Sequence, residues 1–553
     1  MKAIKNETAN SKFPIVTYEE YKRKVEKIKT TKVGSFLPYV KEERSRVCIT
    51  TATFFIIGFL YFFLKQFKDV IIYDVFGSPS VSHWLELICF IGSFKMVTTF
   101  ADLCSFYGPV KSTDFILKKL IKLLILCCVL IIFSRFFISP YFFIEFLNGN
   151  FLHLRRLSIF NQLFILLNNI VMVLFYVIAE TFSVSLYTFI FSTYLNSIAN
   201  HFQIKRYIFT VYLGSGISML CSTFFLKFIV NNVFTKFTAS KKYLFYFITV
   251  SCVCLLYYLV FYLKKQMDKI YSFPLFIQDS QKQIYYEKKQ KINLMGTAKT
   301  ISNSKFLQSL CWMAIGFYYC TTTSLIASQY VYSAYSDYLT ANPSLNTTPG
   351  FVPTKTNVGN FYRSYEFAVS AFIVIFLMVV PVFRRLFDKF GVLLFSTVSI
   401  LLCFFPSLSS FYFSAYNFPI TNYDRPLLFG VKFDCSEPKF TQEAFFTTLG
   451  NTFIKISKFS FYDIIKENIT SKIDPEVRSI YKGIFDGLMP RIGRLSGSLY
   501  IIIVSILFTS SDMRFISPLT LIISGILCML WFFASLKLHN YFKKAVNNDE
   551  YIS

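Results

Sequence analysis

Residues 49–72 read ITTATFFIIGFLYFFLKQFKDVII. As a helix this run is long enough to cross the hydrocarbon core of a bilayer, which takes roughly 20 predominantly apolar residues. Its charged residues, Lys65, Lys68 and Asp69, gather at the closing end. One such segment would also suit a buried core helix, so the rest of the chain decides. Its 553 residues are 54% hydrophobic, 20% aromatic and only 16% charged, with a mean hydropathy of +0.49. A soluble domain of that size needs far more polar surface to cover itself. Apolar runs recur along the whole chain instead of forming one core, and the chain reads as a polytopic membrane protein.

Apolar periodicity, punctuated by charged and turn residues, places spans near 49–72, 83–106, 118–140, 167–197, 206–231, 242–263, 306–332, 366–384, 391–412, 438–460, 493–510 and 516–537. The expected fold is an all-α integral membrane protein of about twelve transmembrane helices. The tenth is polar, carrying Asn451, Lys455 and Lys458, and hydropathy alone would miss it. The organisation is then a basic N-terminal segment (1–48), a six-helix half (49–263), a basic linker (264–305), a second six-helix half (306–540) and a tail (541–553). No residue-level repeat accompanies the two halves, which rest on hydropathy and suit a transporter that rocks about a midplane site.

The formal net charge of +26 raises nucleic acid as a partner, and position answers it. Lys22, Arg23, Lys24, Lys27, Lys29 and Lys32 precede the first span, while Lys264, Lys265, Lys269, Lys282, Lys288, Lys289 and Lys291 fill the central linker. An even number of spans separates the two groups, so the positive-inside rule puts both, and both termini, in the cytoplasm. The charge is topological, the surroundings are a lipid bilayer, and no nucleic acid is expected. Segment 333–365, with the sequon Asn346-Thr347-Thr348, is then external and a candidate for glycosylation. Most of the thirteen cysteines fall in or beside apolar segments and the four histidines are scattered. Neither a disulfide framework, a metal site nor a cofactor is expected. The first 48 residues include Glu19, Glu20, Glu26, Glu42 and Glu43, unlike a cleaved signal or an acid-poor presequence, so the first span is expected to act as the insertion signal.

Ions inside the spans carry the chemistry, because a charge at the bilayer centre costs several kcal/mol unless it faces a cavity or a partner. Lys68 and Asp69 close the first span, where Lys68 also has the option of reaching a headgroup. Lys95 and Asp102, seven residues apart on one face of the second, suit a structural ion pair as well as a substrate contact. Glu180 lies in FYVIAETFSVSLY, which offers no neighbouring base, and is expected to face a cavity. Asn451, Lys455 and Lys458 form one stripe on the tenth span, where two lysines need an anion or carboxylates to be stable. This chemistry suits a polyanion such as ATP or ADP, with aromatic side chains available for a base.

Three blocks also carry a resemblance. Leu64 to Ile72, LKQFKDVII, resembles the R-D-T-K-D-V-L segment of the ATP/ADP antiporter family of plastids, intracellular bacteria and microsporidian parasites, with the Lys68-Asp69 pair kept and Lys65 in place of the arginine. Phe175 to Glu180 is similar to that family's F-Y-V-M-A-E, and continues to Asn196 and to Lys205-Arg206. Asn451, Lys455, Lys458, Asp463, Lys466-Glu467 and Asp474 keep the spacing of N-x-x-x-K-x-x-K-Y-x-x-F-D-x-x-K-E…D, followed by Lys482-Gly483, Asp486 and Arg491 to Gly497. The resemblance covers about residues 50–540. It implies a major-facilitator-like arrangement and substrate-binding roles for Lys68, Asp69, Glu180, Asn196, Asn451, Lys455, Lys458, Lys482, Arg491 and Arg494; either Lys482 or Arg494 inherits the role of a further functional lysine. Family members often carry an acid in the seventh span, whereas Cys320 to Leu325, CTTTSL, has none, which leaves exchange and proton symport both open.

The implied function is exchange of ATP for ADP by alternating access, without covalent chemistry on the nucleotide; no G-x-x-x-x-G-K-[ST] motif suggests an ATP-hydrolysing pump. The alternatives are a proton-coupled or broad-specificity importer that also takes GTP or GDP, and a non-transporting membrane scaffold or receptor. The Phe, Ile, Lys, Asn and Tyr bias is what an AT-rich genome produces, so a microsporidian source is expected. Import of host ATP at the parasite plasma membrane follows from that, rather than at a mitochondrial remnant; a monomer is compatible with all of it.

Overall fold

In a medium without water every backbone N–H and C=O must be satisfied within its own segment, so apolar runs of membrane length fold as helices. The computed structural model describes residues 18–29, 39–77, 81–137, 163, 165–199, 201–232, 239–272, 302–343, 353–379, 381–422, 424–433, 437–471, 473, 481–508 and 512–547. Its elements are all helical. A surface helix, α1 (Tyr18–Lys29), precedes α2 (Arg44–Ile71), α3 (Ser82–Phe137), α4 (Ile170–Ser185), α5 (Phe191–Ile198), α6 (His201–Asn232) and α7 (Ala239–Tyr271). The second half holds α8 (Lys305–Ala341), α9 (Lys355–Val379), α10 (Pro381–Thr421), α11 (Phe440–Ile456), α12 (Asp463–Ser471), α13 (Met489–Phe508) and α14 (Ser517–Asn547).

These helices cover the described residues of all the expected spans. Two of those spans share α3, which breaks at Gly108, where φ is +77° and Pro109 follows. A side chain with a Cβ disfavours that left-handed backbone, and proline removes the next donor, so the chain turns there. Among the described residues, ten helical segments are long and apolar enough to cross a membrane. The remainder of α3, with Lys118, Lys119 and Lys122, and the polar α11 fall short of that criterion. The eighth span starts earlier than the apolar pattern suggests. Helix α8 runs on to Ala341 and α9 begins at Lys355, so much of segment 333–365 is helical rather than loop. Asn346 lies outside the described residues.

Each half has its own core. One apolar cluster runs from Phe54 to Tyr271 and takes in Phe367, Ala371, Val374 and Phe459 of the second half, and another joins Phe306, Phe317, Tyr462, Phe485 and Trp531. The halves meet where α6 packs on α9 and α3 packs on α13. Close approach there depends on small residues, as is usual between membrane helices. A Cβ on Gly216 of α6 would stand 2.9 Å from Ile375 of α9. The outer faces carry exposed Phe133, Phe228, Leu255, Phe376, Leu401, Leu507 and Phe533, the apolar surface a lipid-facing helix presents.

Among the described residues, π turns occur at Ile72–Phe76 after α2, Leu186–Ile190 between α4 and α5, Ser457–Tyr462 between α11 and α12, and Gly483–Leu488 before α13. Such turns widen the helix and re-aim side chains, and they occur often at functional sites. Lys458 and Tyr187 both sit in one.

Candidate functional site

A narrow cavity of about 30 Å³ lies between the halves, well below the roughly 300–1,000 Å³ of open small-molecule sites. Its walls are Phe62 and Lys65 of α2, Thr321 and Leu325 of α8, Glu366 and Phe367 of α9, and Asn451, Ile454, Lys455, Lys458 and Phe459 of the α11 stretch. The stripe read from the tenth span therefore opens on one space. Asn451 accepts from Ser324 Oγ at 2.7 Å through Oδ1, while its Nδ2 is buried without a partner. Lys455 pairs with Glu366 and lies 3.8 Å from the centroid of the Phe367 ring. Lys458 Nζ donates to Tyr61 Oη at 3.2 Å. Among the described residues no carboxylate lies within 4.0 Å of Lys65 or Lys458. Tyr61 and Tyr187 stack face to face, with centroids 4.4 Å apart, and Lys458 lies 5.1 Å from the first ring and 5.7 Å from the second, so aromatic faces partly replace its lost hydration.

Glu180 is the hub of a second group. One carboxylate oxygen bonds Lys68, the other bonds Arg494, and Arg491 stands 3.9 Å away and also donates to Ser185 Oγ at 3.2 Å. Arg494 lies 5.4 Å from the Tyr318 ring and Lys68 4.7 Å from Tyr176. The sequence around Glu180 shows no base, and the partners come from other helices, α2 and α13. Glu180 is not among the residues lining the cavity. Lys65 lies within electrostatic range of Lys458, Arg494 and Glu180, which puts the two groups in one field.

The remaining expected site residues go elsewhere. Asp69 binds Arg363 Nε at 3.0 Å and accepts from Gln329 Nε2 at 3.2 Å. Lys482 binds Glu467 at 2.8 Å, beside a Lys466–Asp486 pair at 2.9 Å, so of the two candidates for the further functional cation only Arg494 joins the Glu180 group. Asn196 is half-buried on α5, and no described contact ties it to either group. Lys95 is exposed. Arg363 and Glu366 were missed: the sequence reading put Arg363 in an external loop and Glu366 at a span's first residue. Their spacing of three, at the start of an apolar run, was the available signal.

The TLC ATP/ADP transporter pattern matches residues 22–542. The chain belongs to that family. Two relatives from Encephalitozoon cuniculi fit the membership: ADP,ATP carrier protein 1 is 23% identical over 92% of this chain and 89% of its own length, and ADP,ATP carrier protein 3 is 24% identical over 72% and 70%. ADP,ATP carrier protein 1 of Paranosema grylli is 24% identical over 68% of this chain and 65% of its own. Family and relatives support a nucleotide exchange transporter of microsporidian type, not an enzyme. Similar solved structures include the proton:xylose symporter XylE, with 12% identity over 90% of this chain and 96% of the other and a TM-score of 0.48, and the E. coli fucose:proton symporter FucP, with 11% identity over 89% and 99% and a TM-score of 0.42.

Proposed function

We propose that this transporter exchanges ATP for ADP at the cavity between its halves, with the polyphosphate held by Lys458, Lys65 and Lys455 and the base among Phe62, Phe367 and Phe459. The observation that carries the reading is a pair of lysines with no carboxylate within 4.0 Å among the described residues, the half-buried Lys65 and the buried Lys458, opening on an aromatic-walled space that also holds the unpartnered amide nitrogen of Asn451. Cations in such surroundings are stable when an anion completes them. ADP and ATP carry about three and four negative charges at neutral pH, which lysines of this kind would complete. Lys68, Arg491 and Arg494 extend the phosphate field through Glu180, and the path taken is alternating access about this site. In its cellular setting the protein brings host ATP across the parasite plasma membrane with both termini cytoplasmic.

Uptake of labelled ATP into liposomes, with and without internal ADP, tests the reading. Uptake that depends on internal ADP, competed by ATP and ADP far better than by AMP, is the expected result; uptake indifferent to internal nucleotide, or none, refutes it. A proton-coupled importer is the second reading. Glu366, the carboxylate among the cavity-lining residues, is the group it would use, and ATP uptake driven by a pH gradient into ADP-free liposomes would favour it.

A further inference from the structure

A chain of buried ion pairs leads out of the cavity to the contact between the halves. Lys455 and Glu366 line the cavity and bind each other. The other oxygen of Glu366 binds Arg363 NH1 at 2.8 Å, and the same guanidinium holds Asp69 through Nε at 3.0 Å. Asp69 stands on α2, in the N-terminal half, whereas Arg363 and Glu366 stand on α9 and Lys455 on α11, in the other. Gln329 of α8 reinforces the junction, donating to Asp69 and accepting from Ser82 Oγ of α3 at 2.7 Å. All four ions are at most 9% exposed. One end of the chain therefore faces substrate and the other ties the halves together.

Buried charges are stable only while each keeps a partner, so the four ions act as a unit. Glu366 divides its two oxygens between Lys455 and Arg363. Arg363 in turn divides its donors between Glu366 and Asp69, and its NH2 is buried without any acceptor. A second arrangement is thus available, in which Glu366 gives up Lys455 and takes Arg363 in the bidentate geometry that guanidinium and carboxylate prefer. That arrangement uses the spare NH2 while Nε remains on Asp69, so the hold on Asp69 changes as far as the guanidinium is drawn toward Glu366.

We propose that Glu366 is the substrate sensor of this transporter, an internal carboxylate that occupies Lys455 when the cavity is empty and, displaced by nucleotide phosphate, transmits the displacement through Arg363 to the Asp69 latch between the halves. The proposal rests on the assignment of Lys455 to the phosphate site. Glu366 is a positioning residue here, acting on substrate through Lys455 and on the halves through Arg363. The latch stays shut until a phosphate arrives, which ties release of the halves to loading.

The test is exchange kinetics of Glu366→Gln in proteoliposomes loaded with ADP. Gln keeps the shape and removes the competing charge, so KM for external ATP should fall about tenfold, the factor that corresponds to 1.4 kcal/mol, while kcat also falls because displacement no longer reaches the latch. A carboxylate that only supports the fold would lower kcat or the folded yield without tightening KM; an unchanged or raised KM overturns the proposal. Asp69→Asn probes the other end independently. With the latch weakened, labelled ADP should leave preloaded liposomes into nucleotide-free buffer several-fold faster than from the parent, and no increase overturns the latch. Lys455→Gln separates the two levels of inference. If its KM for ATP is unaltered, the phosphate assignment has failed; if its KM rises while Glu366→Gln does not lower it, the sensor alone has failed.

Discussion

Replacing Glu180 by Gln removes the carboxylate that both Lys68 and Arg494 bond and leaves them, with Arg491 at 3.9 Å, in a buried site without a directly bonded carboxylate among the described residues. A hydrogen bond to a charged group contributes about 1.5–3 kcal/mol; one is lost outright because the amide nitrogen cannot accept, and the other is weakened to a neutral acceptor beside an uncompensated charge. That loss agrees with the about 3–5 kcal/mol found when one partner of a buried pair is removed. The empty carrier should therefore melt at a lower temperature in detergent, and exchange should fall with it. Phosphate can stand in for the missing carboxylate, so added ATP should raise the melting temperature of the variant more than that of the parent; a ligand at a hundred times its Kd contributes about 2.7 kcal/mol by mass action alone. Thermal unfolding followed with and without ATP, beside labelled ATP exchange in liposomes, measures both effects. A variant that melts and exchanges like the parent would show that the cations do not depend on Glu180, and the reasoning from this cluster would be wrong.

Lys458→Gln should weaken competition by ATP about tenfold or more, from about 1–3 kcal/mol of charge-assisted bonding, and competition by AMP much less; equal loss for all phosphate counts would assign the residue to the fold. Gly493→Ala should cost about 1–3 kcal/mol by overpacking, because the added Cβ meets Ile315 O at 2.9 Å and Tyr318 Cβ at 3.0 Å, and a melting temperature equal to the parent's would contradict that contact. Accessible tags at residue 2 and near Lys288 should react together with a reagent added from inside, and a tag between Asn342 and Thr354 from outside; opposite sidedness of the first two would reject the even-span topology.

The helices were legible because membrane length and apolarity are local properties of a sequence: each expected span coincides with a helix over its described residues. Helix ends were less so. The apolar pattern of the eighth span starts near Glu366, while the helix starts at Lys355, because its first turns are polar yet packed between α2 and α8. That shift of three turns hid Arg363 and Glu366, which looked like loop or boundary residues and are 3% and 1% exposed. The stripe of Asn451, Lys455 and Lys458 was readable from helical spacing, and all three line the cavity. Partners were not readable at all. Glu180 meets Lys68 and Arg494 across 112 and 314 residues of chain, and Lys458 meets Tyr61 across 397. A lone intramembrane charge in sequence says only that a partner must exist, since hydrocarbon will not take the ion bare; which ion answers it is set by how the helices pack. The lysines that the protein leaves unanswered, Lys65 and Lys458, are for that reason the ones that point to a ligand, whereas Lys482, equally basic and equally matched to a motif, is satisfied by Glu467 at 2.8 Å.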